Sequence, residues 1–510
     1  MGEEGVPLSE NVPGPRPNIL VIHTDQHRAD CLGAYGNRVI QTPHIDTLSL
    51  DSVCFSNCYC PYPVCTPSRY SLVSGLYVHE HRGRSNRSTM RPGTPTFPAL
   101  LADAGYRTRA VGKMHYTPTY VDVGFQEMIL AEQDGEGRWD DDYHRYLRER
   151  GLVDVVDLVD QRREYRERAR PAYWETFGAL PSNLPEEAHS TTWIGERALE
   201  AVEEWGPEGN LLMVGFIKPH HPFDPPASWA QMYDPRYVPL LPGWVDEVPA
   251  QDAGFWRGYF DNAALTRDAL RRVMAYYYAT ISQIDLWVGR IVEALKARGL
   301  YDDALVVFTS DHGEYLGYHH LLLKGNHLYD PLARVPLMCK WPHQTQRAGT
   351  TAALASTVDV APTILAAAGL TPPPGMRGLD LARPGGREVA CAEGIAARGE
   401  GAPPGRELMA RTATHKLLLN RESPAHSLLF DLEEDPLEMV NRYDDPALAG
   451  VREELTERLA AWLPNTEYEM HVDERAPRIA GPNVPPLDDG HREEVAAWYA
   501  ARMAEEGYGR

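Results

Sequence analysis

Several apolar runs in this chain stop abruptly on residues that can bind ions or move protons. Residues 18–23 (Asn-Ile-Leu-Val-Ile-His) lead into Thr24-Asp25-Gln26, and residues 107–111 lead into Gly112-Lys113-Met114-His115. Residues 211–217 lead into Lys218-Pro219-His220-His221, and residues 304–309 into Ser310-Asp311-His312-Gly313. Asp25, Gln26 and Asp311 carry oxygen atoms of the kind a hard divalent cation prefers, with the His312 imidazole beside them. Lys113, His115 and His220 bring positive charge and transferable protons. Cys65, followed by Pro67 and Arg69, adds a thiol. One Asp at the end of a strand is usually a cap or turn residue, and one His usually satisfies a core. The whole set together points to a cation-assisted site for an anion.

Apolar runs rich in β-branched residues read as buried strands. Helical periodicity lies between them: residues 97–104, with Pro98 in the first turn, residues 186–205, and residues 264–298, where Leu270, Val273, Tyr277, Ile281 and Ile284 share a face. Strand–helix alternation predicts an α/β protein with a mostly parallel sheet, whose ligands bind beyond the carboxyl ends of the strands. Thr371-Pro-Pro-Pro-Gly375 and Arg383-Pro-Gly-Gly386 read as boundary loops. The expected organisation is a polar tail (1–16), a catalytic α/β domain (17–390), a small α+β subdomain (391–465) and an extended arm ending in a helix (466–510). Strands are expected in the subdomain at 416–420 and 428–431, and the final helix at 491–505. The arm packs on its own body or on a neighbouring subunit, the second case giving a homo-oligomer.

Composition excludes several classes. Apolar content of 43% and charged content of 24% suit a soluble globular protein with a large core. A net charge of −22 repels nucleic acid and anionic membrane, so an anionic substrate needs local positive charge. The start of the chain has no apolar signal segment, and no run is long enough to span a membrane. Seven cysteines, an odd number in a long chain, argue against a disulfide scaffold, so a cytoplasmic enzyme is expected.

Cys65-Thr66-Pro67-Ser68-Arg69, followed by Leu72-Val73-Ser74-Gly75-Leu76, resembles the signature of type I sulfatases, in which the leading Cys is oxidised to formylglycine. The segment from Asn18 to Gln26 resembles the first metal strand of that family, and Val306 to Gly313 the last. Gly112-Lys113-Met114-His115 is similar to its Gly-Lys-x-His. Lys218-Pro-His220-His-Pro-Phe223 resembles its Pro-His-x-Pro-Phe, and Gly317-Tyr-His-His-Leu-Leu-Leu-Lys324 its Gly-x-His-to-Lys element. The likeness spans residues 17–438, taking in Thr42-Pro-His-Ile-Asp46, the segment from Val358 to Ile364 and that from Leu429 to Glu438. It implies the fold of the alkaline phosphatase superfamily: a large mixed, mostly parallel sheet sandwiched by helices, and a smaller C-terminal subdomain with a short antiparallel sheet.

The same resemblance implies an arylsulfatase-type hydrolase of small-molecule sulfate esters, matured by a formylglycine-generating enzyme acting on Cys65. A thiol attacking sulfur would end as a thiosulfate, whereas an aldehyde hydrate has one hydroxyl to attack and a second to expel sulfate. One divalent cation, Ca²⁺ or Mn²⁺, is implied on Asp25, Gln26, Asp311, His312 and the modified Cys65. Gln26 stands where relatives commonly carry a second Asp, so the metal site is less negative than theirs. Lys113, His115, His220 and Lys324 form the implied anion clamp. His220 or Lys324 protonates the leaving oxygen, His115 is the base for the hydrate, and Arg69 holds the hydrate oxygen or the metal ligands. The rival reading is the phosphonate monoester hydrolase and phosphodiesterase branch, which shares the Cys, Asp-Gln and a His-His-Leu-Leu-x-Lys stretch. Its members usually carry Tyr and Thr where this chain has Lys113 and His115, which favours sulfate. Choline sulfatases share Gly-Lys-Met-His without enough further agreement to choose choline. A zinc site from Cys54, Cys58, Cys60 and Cys65 lacks the usual paired spacing. A non-catalytic metal- or anion-binding protein stays open if Cys65 is never modified. His79, His81, His319 and His320 are weaker candidates, Tyr276 to Tyr278 read as helix packing, and His221 falls one place off the aligned histidine.

Overall fold

The computed structural model describes residues 16–509 apart from 134–137, 253–258, 326, 384, 397–404, 466–467, 474, 482 and 486–487. The polar tail up to residue 15, and Pro384 of the second boundary loop, lie outside the described residues.

The main sheet is built from β1 (Ile19–Asp25), β2 (Val53–Tyr59), β3 (Arg107–Gly112), β4 (Glu127–Leu130), β5 (Asn210–Pro219), β6 (Leu305–Ser310), β7 (Arg334–Val335), β8 (Leu337–Lys340) and β9 (Gly349–Ser356). Its order is β4-β3-β5-β1-β6-β8-β2-β7, with β9 also paired to β2. From β4 to β6 every pairing is parallel. β8 then runs antiparallel to β6 and to β2, while β9 is parallel to β2. All four apolar runs that end on ionisable residues are therefore strands, and they are adjacent: β3, β5, β1 and β6. Their carboxyl ends share one edge.

The strands are buried on both faces, which is why they read as continuous apolar runs rather than as alternation. Leu20, Ile22, Leu212, Val214, Val306 and Phe308 enter one core, and Ile19, Val21, Leu211, Met213, Leu305 and Val307 the other. Each fully buried side chain of this kind stabilises the fold by about 1.5–3 kcal/mol. Helices supply the other walls: α1 (Cys65–Ser74), α2 (Phe97–Asp103), α3 (Ser190–Glu203), α4 (Arg267–Ala297) and α5 (Val360–Ala367). α3 and α4 cover the first core, and α1, α2 and α5 the second. α4 opens on Thr266, whose hydroxyl accepts from Ala269 N–H at 3.2 Å. The region read as one helix at 186–205 breaks at His189, which caps α3 after a short 3₁₀ turn, Glu186–Ala188.

A second sheet joins β10 (Ala390–Ala396), β11 (Arg406–Arg411), β12 (His415–Asn420) and β13 (Leu428–Asp431), antiparallel in chain order. One face packs on α6 (Ala449–Trp462) through Leu408, Leu417, Leu455 and Leu459. The other, with Met409, Leu418 and Phe430, packs on Tyr315, Leu328 and Tyr329 of the loop that follows β6. The C-terminal arm lies on the chain's own body: Ile479 N–H donates to Tyr120 C=O at 3.0 Å and Asp122 N–H to Pro477 C=O at 2.7 Å. The last helix, α7 (Asp489–Met503), buries Val495, Tyr499 and Met503 in the first core.

Gly112 marks the tightest crossing at the functional edge. Its φ of +90° is in the left-handed region, and a Cβ there would meet Gly215 O at 2.1 Å. The next residue, Lys113, donates its N–H to that same oxygen at 2.7 Å. Gly112→Ala is expected to cost about 2–4 kcal/mol from strain and overpacking together, read as a lowered urea midpoint. An unchanged midpoint would show that β3 and β5 separate easily here.

Candidate active site

At the end of β1, Asp25 is followed by a sharp turn at Gln26, whose φ is 62°. Gln26 N–H donates to Asp311 Oδ1 at 3.1 Å, and its carbonyl accepts from Tyr277 OH at 2.6 Å. The same hydroxyl accepts from Arg28 N–H at 2.9 Å, so Tyr277 packs in α4 and also clamps this turn. β6 lies beside β1 in parallel register, which sets Asp311 and His312 next to Asp25. Cys65 is the first residue of α1, where the helix dipole favours negative charge. Ser68 Oγ donates to Asp311 C=O at 2.6 Å and fixes that helix start to the end of β6.

Arg69 joins these pieces. Its guanidinium is wholly buried and donates from Nη2 to Asp25 Oδ2 at 2.9 Å, from Nε to Asp311 Oδ2 at 2.8 Å, and from Nη1 to Lys113 C=O at 2.5 Å. Three strand ends are thus read by one planar fork. Burial would lift the Asp25 pKa, but Lys113, with Arg69 and Lys324, holds it well below the usual range.

Asp25, Cys65, Asp311 and His312 each offer a ligand atom, all within 4.8 Å of one another. His312 Nδ1 donates to Gly313 C=O at 2.9 Å, which leaves the Nε2 lone pair facing Asp25 Oδ1 at 3.7 Å and Asp311 Oδ1 at 3.8 Å. Gln26 Nε2 is tied to Glu314, while Gln26 Oε1 is buried with no partner among the described residues. Two carboxylates and an imidazole, within reach of one another beside position 65, form a set that fits a divalent cation. This cluster takes in none of Cys54, Cys58 and Cys60.

Around it stands a basic rim. Lys113 Nζ is 2.7 Å from Asp25 Oδ2 and 3.1 Å from Gln133 Oε1. Lys324 Nζ is 3.0 Å from Cys65 Sγ, 3.1 Å from His220 Nε2 and 3.3 Å from His312 Nε2. His115 is held through its backbone, Glu132 accepting its N–H at 2.9 Å, while both ring nitrogens are buried without partners among the described residues. Burial, then Lys113 and Arg69, hold the His115 pKa well below that of a free imidazole, and burial with Lys324 does the same for His220. Burial with Asp25 pushes the Cys65 thiol up to about 11, so an unmodified Cys65 is a weak nucleophile at neutral pH.

Asp25, Gln26, Cys65, Arg69, Lys113, His115, His220, Asp311, His312 and Lys324, all singled out from the sequence, meet at this one edge. Missing from that reading were Glu132, Gln133, Asp160 and Glu314, which hold the backbones and side chains of the others. Glu132 and Gln133 follow β4, a strand of only Glu127–Leu130, and obey the same rule of an apolar run ending on polar residues. The short Met128-Ile-Leu-Ala131 run was the available signal. The weaker histidines have packing partners instead: His79 with Glu393 at 2.8 Å, His81 with Ser71 at 3.0 Å, His319 with Asp252 at 2.9 Å and His320 with Val245 C=O at 2.9 Å.

A family model described as Sulfatase matches residues 17–370. The chain belongs to the sulfatase family. Like its relatives, this sulfatase is a hydrolase of sulfuric esters. It is 29% identical to an arylsulfatase of Clostridium perfringens over 392 residues, 72% of this chain and 78% of that one. It is 27% identical to an N-acetylglucosamine-6-O-sulfatase of Bacteroides thetaiotaomicron over 397 residues, 72% of this chain and 70% of the other. Among solved structures, the phosphonate monoester hydrolase of Agrobacterium radiobacter superposes with a TM-score of 0.73 at 24% identity, over 92% of this chain and 100% of that one.

In this sulfatase, Arg69→Met leaves Asp25 and Asp311 buried without their shared cation. The expected loss is about 3–5 kcal/mol in urea unfolding, with activity lost as well. A stable, active variant would mean that Lys113 alone compensates the pair.

Proposed function

We propose that this sulfatase cleaves sulfate esters, aryl sulfates among them, with a nucleophile made by oxidising Cys65 to formylglycine. The observation that carries the reading is the setting of Cys65 Sγ: 3.6 Å from Asp25 Oδ1, 3.4 Å from His312 Nε2 and 3.0 Å from Lys324 Nζ. Asp25, Gln26, Asp311 and His312 would hold the cation, and oxygen donors favour calcium, with manganese the alternative. Once in place, the cation and the hydrated aldehyde at position 65 supply Lewis-acid stabilisation and the attacking hydroxyl.

The chain's own residues do the rest. Lys113 and Lys324 bind the anion's oxygens, and Arg69 keeps Asp25 and Asp311 in register. His220 donates from Nδ1 to His221 C=O at 2.6 Å, so its Nε2 accepts from Lys324 Nζ. The Lys324–His220 pair therefore delivers its proton to the leaving oxygen from Nζ, where charge builds as the S–O bond breaks. His115, kept neutral, takes a proton at a ring nitrogen when position 65 returns to the aldehyde. A formylglycine-generating enzyme is the maturation partner in this reading. The site of action is cytoplasmic, a reading supported by seven free cysteines; among the described residues no helix is long and apolar enough to cross a membrane. Gln26 also favours a second activity, cleavage of phosphonate monoesters, another tetrahedral anion.

The Cys65 peptide of active protein should weigh about 18 Da less than the encoded one. An unmodified thiol in fully active protein rejects the nucleophile. Cys65→Ala and Asp311→Ala should each abolish turnover, and a chelator should do so reversibly while lowering Tm. Comparison of kcat/KM on 4-nitrophenyl sulfate and on an aryl phosphonate monoester ranks the two activities; preference for phosphonate by several orders overturns the ranking.

A further inference from the structure

His221 does not reach the cation site, yet it is built into it. Its carbonyl accepts from His220 Nδ1 at 2.6 Å, from Gln133 Nε2 at 2.9 Å and from Gln161 Nε2 at 3.1 Å. Its ring stacks on that of His220, with centroids 4.2 Å apart and planes 27° from parallel. On the other side its Nδ1 lies 2.6 Å from Asp160 Oδ2 and 2.6 Å from Tyr259 OH. Asp160 is fully buried and accepts from Tyr173 OH at 2.7 Å, Tyr259 OH at 2.8 Å and Gln161 Nε2 at 2.6 Å.

A carboxylate with this many donors is an anchor. It fixes the His221 ring, and through it the carbonyl that selects the His220 tautomer. With the proton held on Nδ1, only Nε2 of His220 is left to accept from Lys324. Gln133 extends the same fastening to the other cation, since its Oε1 accepts from Lys113 Nζ while its Nε2 holds the His221 carbonyl. The chain from Asp160 to Cys65 is thus unbroken: Asp160, His221, His220, Lys324, Sγ.

We propose that Asp160 and His221 are a positioning pair that aims the His220 imidazole at Lys324, and that this pair sets how well the enzyme cleaves sulfate esters of poor leaving alcohols. The inference rests on the reading of Lys324–His220 as the group that protonates the leaving oxygen. Esters of acidic phenols need little of that proton in the transition state, whereas esters of basic phenols and alkyl alcohols need it strongly. A pair that aims the donor is therefore felt mainly by the second class. A residue that merely supported the fold would lower both classes alike.

The test compares kcat/KM on 4-nitrophenyl sulfate and on phenyl sulfate for mature, metal-loaded enzyme. Asp160→Asn, which keeps the volume and removes the charge, should lose about tenfold more on phenyl sulfate than on 4-nitrophenyl sulfate. Equal losses on the two esters, or none, overturn the proposal. If Asp160→Asn is not folded, His221→Phe keeps the stacked ring, breaks the link to Asp160 and must give the same imbalance; equal losses there overturn it too. His220→Ala separates the two levels. If it shows the imbalance and Asp160→Asn does not, the positioning role alone falls. If His220→Ala shows none, the proton-donor assignment falls and takes the proposal with it.

Discussion

A guanidinium sealed from water between two carboxylates is the interaction on which the site depends. Arg69 has no exposure, and neither do the carboxylate of Asp25 nor, to within 1%, that of Asp311. Buried ion pairs rarely add much to stability over an apolar core, because desolvation offsets their attraction. What this one does is fix geometry. The fork fits one arrangement of two acids, and those acids stand at the ends of different strands, with Lys113's carbonyl at the end of a third. Anything placed between the acids inherits that precision.

Local charge explains how an acidic protein can take an anion. Around Cys65 the cations of Arg69, Lys113 and Lys324 face the carboxylates of Asp25 and Asp311, so the positive charge that an anion needs is supplied locally. The histidines add none while burial keeps His115 and His220 neutral. Against a chain that is −22 overall, these three cations stand together between low-dielectric walls. Such a spot gains most from a charge that develops during reaction, since its dipoles and cations are already aimed.

Much of this was legible from pattern alone. Because β1, β3, β5 and β6 are buried on both faces, each appears as an apolar block with an abrupt polar end, and parallel topology gathers those ends. β2 was missed because its sequence, Val-Cys-Phe-Ser-Asn-Cys-Tyr, mixes polar residues where β9 and β8 flank it. The supporting residues were harder still. Asp160 lies in a short helix, Val155–Gln161, among charged neighbours, with nothing local to separate it from solvated acids. Only tertiary contact with His221 gives it meaning. His221 itself, one place from the aligned histidine, contributes through a backbone carbonyl, and carbonyls leave no trace in residue type.

The small sheet bears on the same chemistry through the loop after β6. Lys324 belongs to no helix or strand, so its ammonium needs restraint from outside. On one side Glu314 accepts from Leu316 N–H at 3.0 Å and from Leu323 N–H, closing the loop on itself. On the other, Glu407 of β11 accepts from Leu328 N–H at 2.6 Å and pairs with His327 at 2.6 Å. Lys416 of β12, wholly buried, reaches Asp330 at 2.8 Å and Glu438 at 2.7 Å. Polar contacts of this kind need exact partners, whereas the surrounding Tyr315, Leu328, Tyr329 and Phe430 supply the adhesion. The second sheet therefore acts as a brace on the irregular loop that carries Lys324 to Cys65.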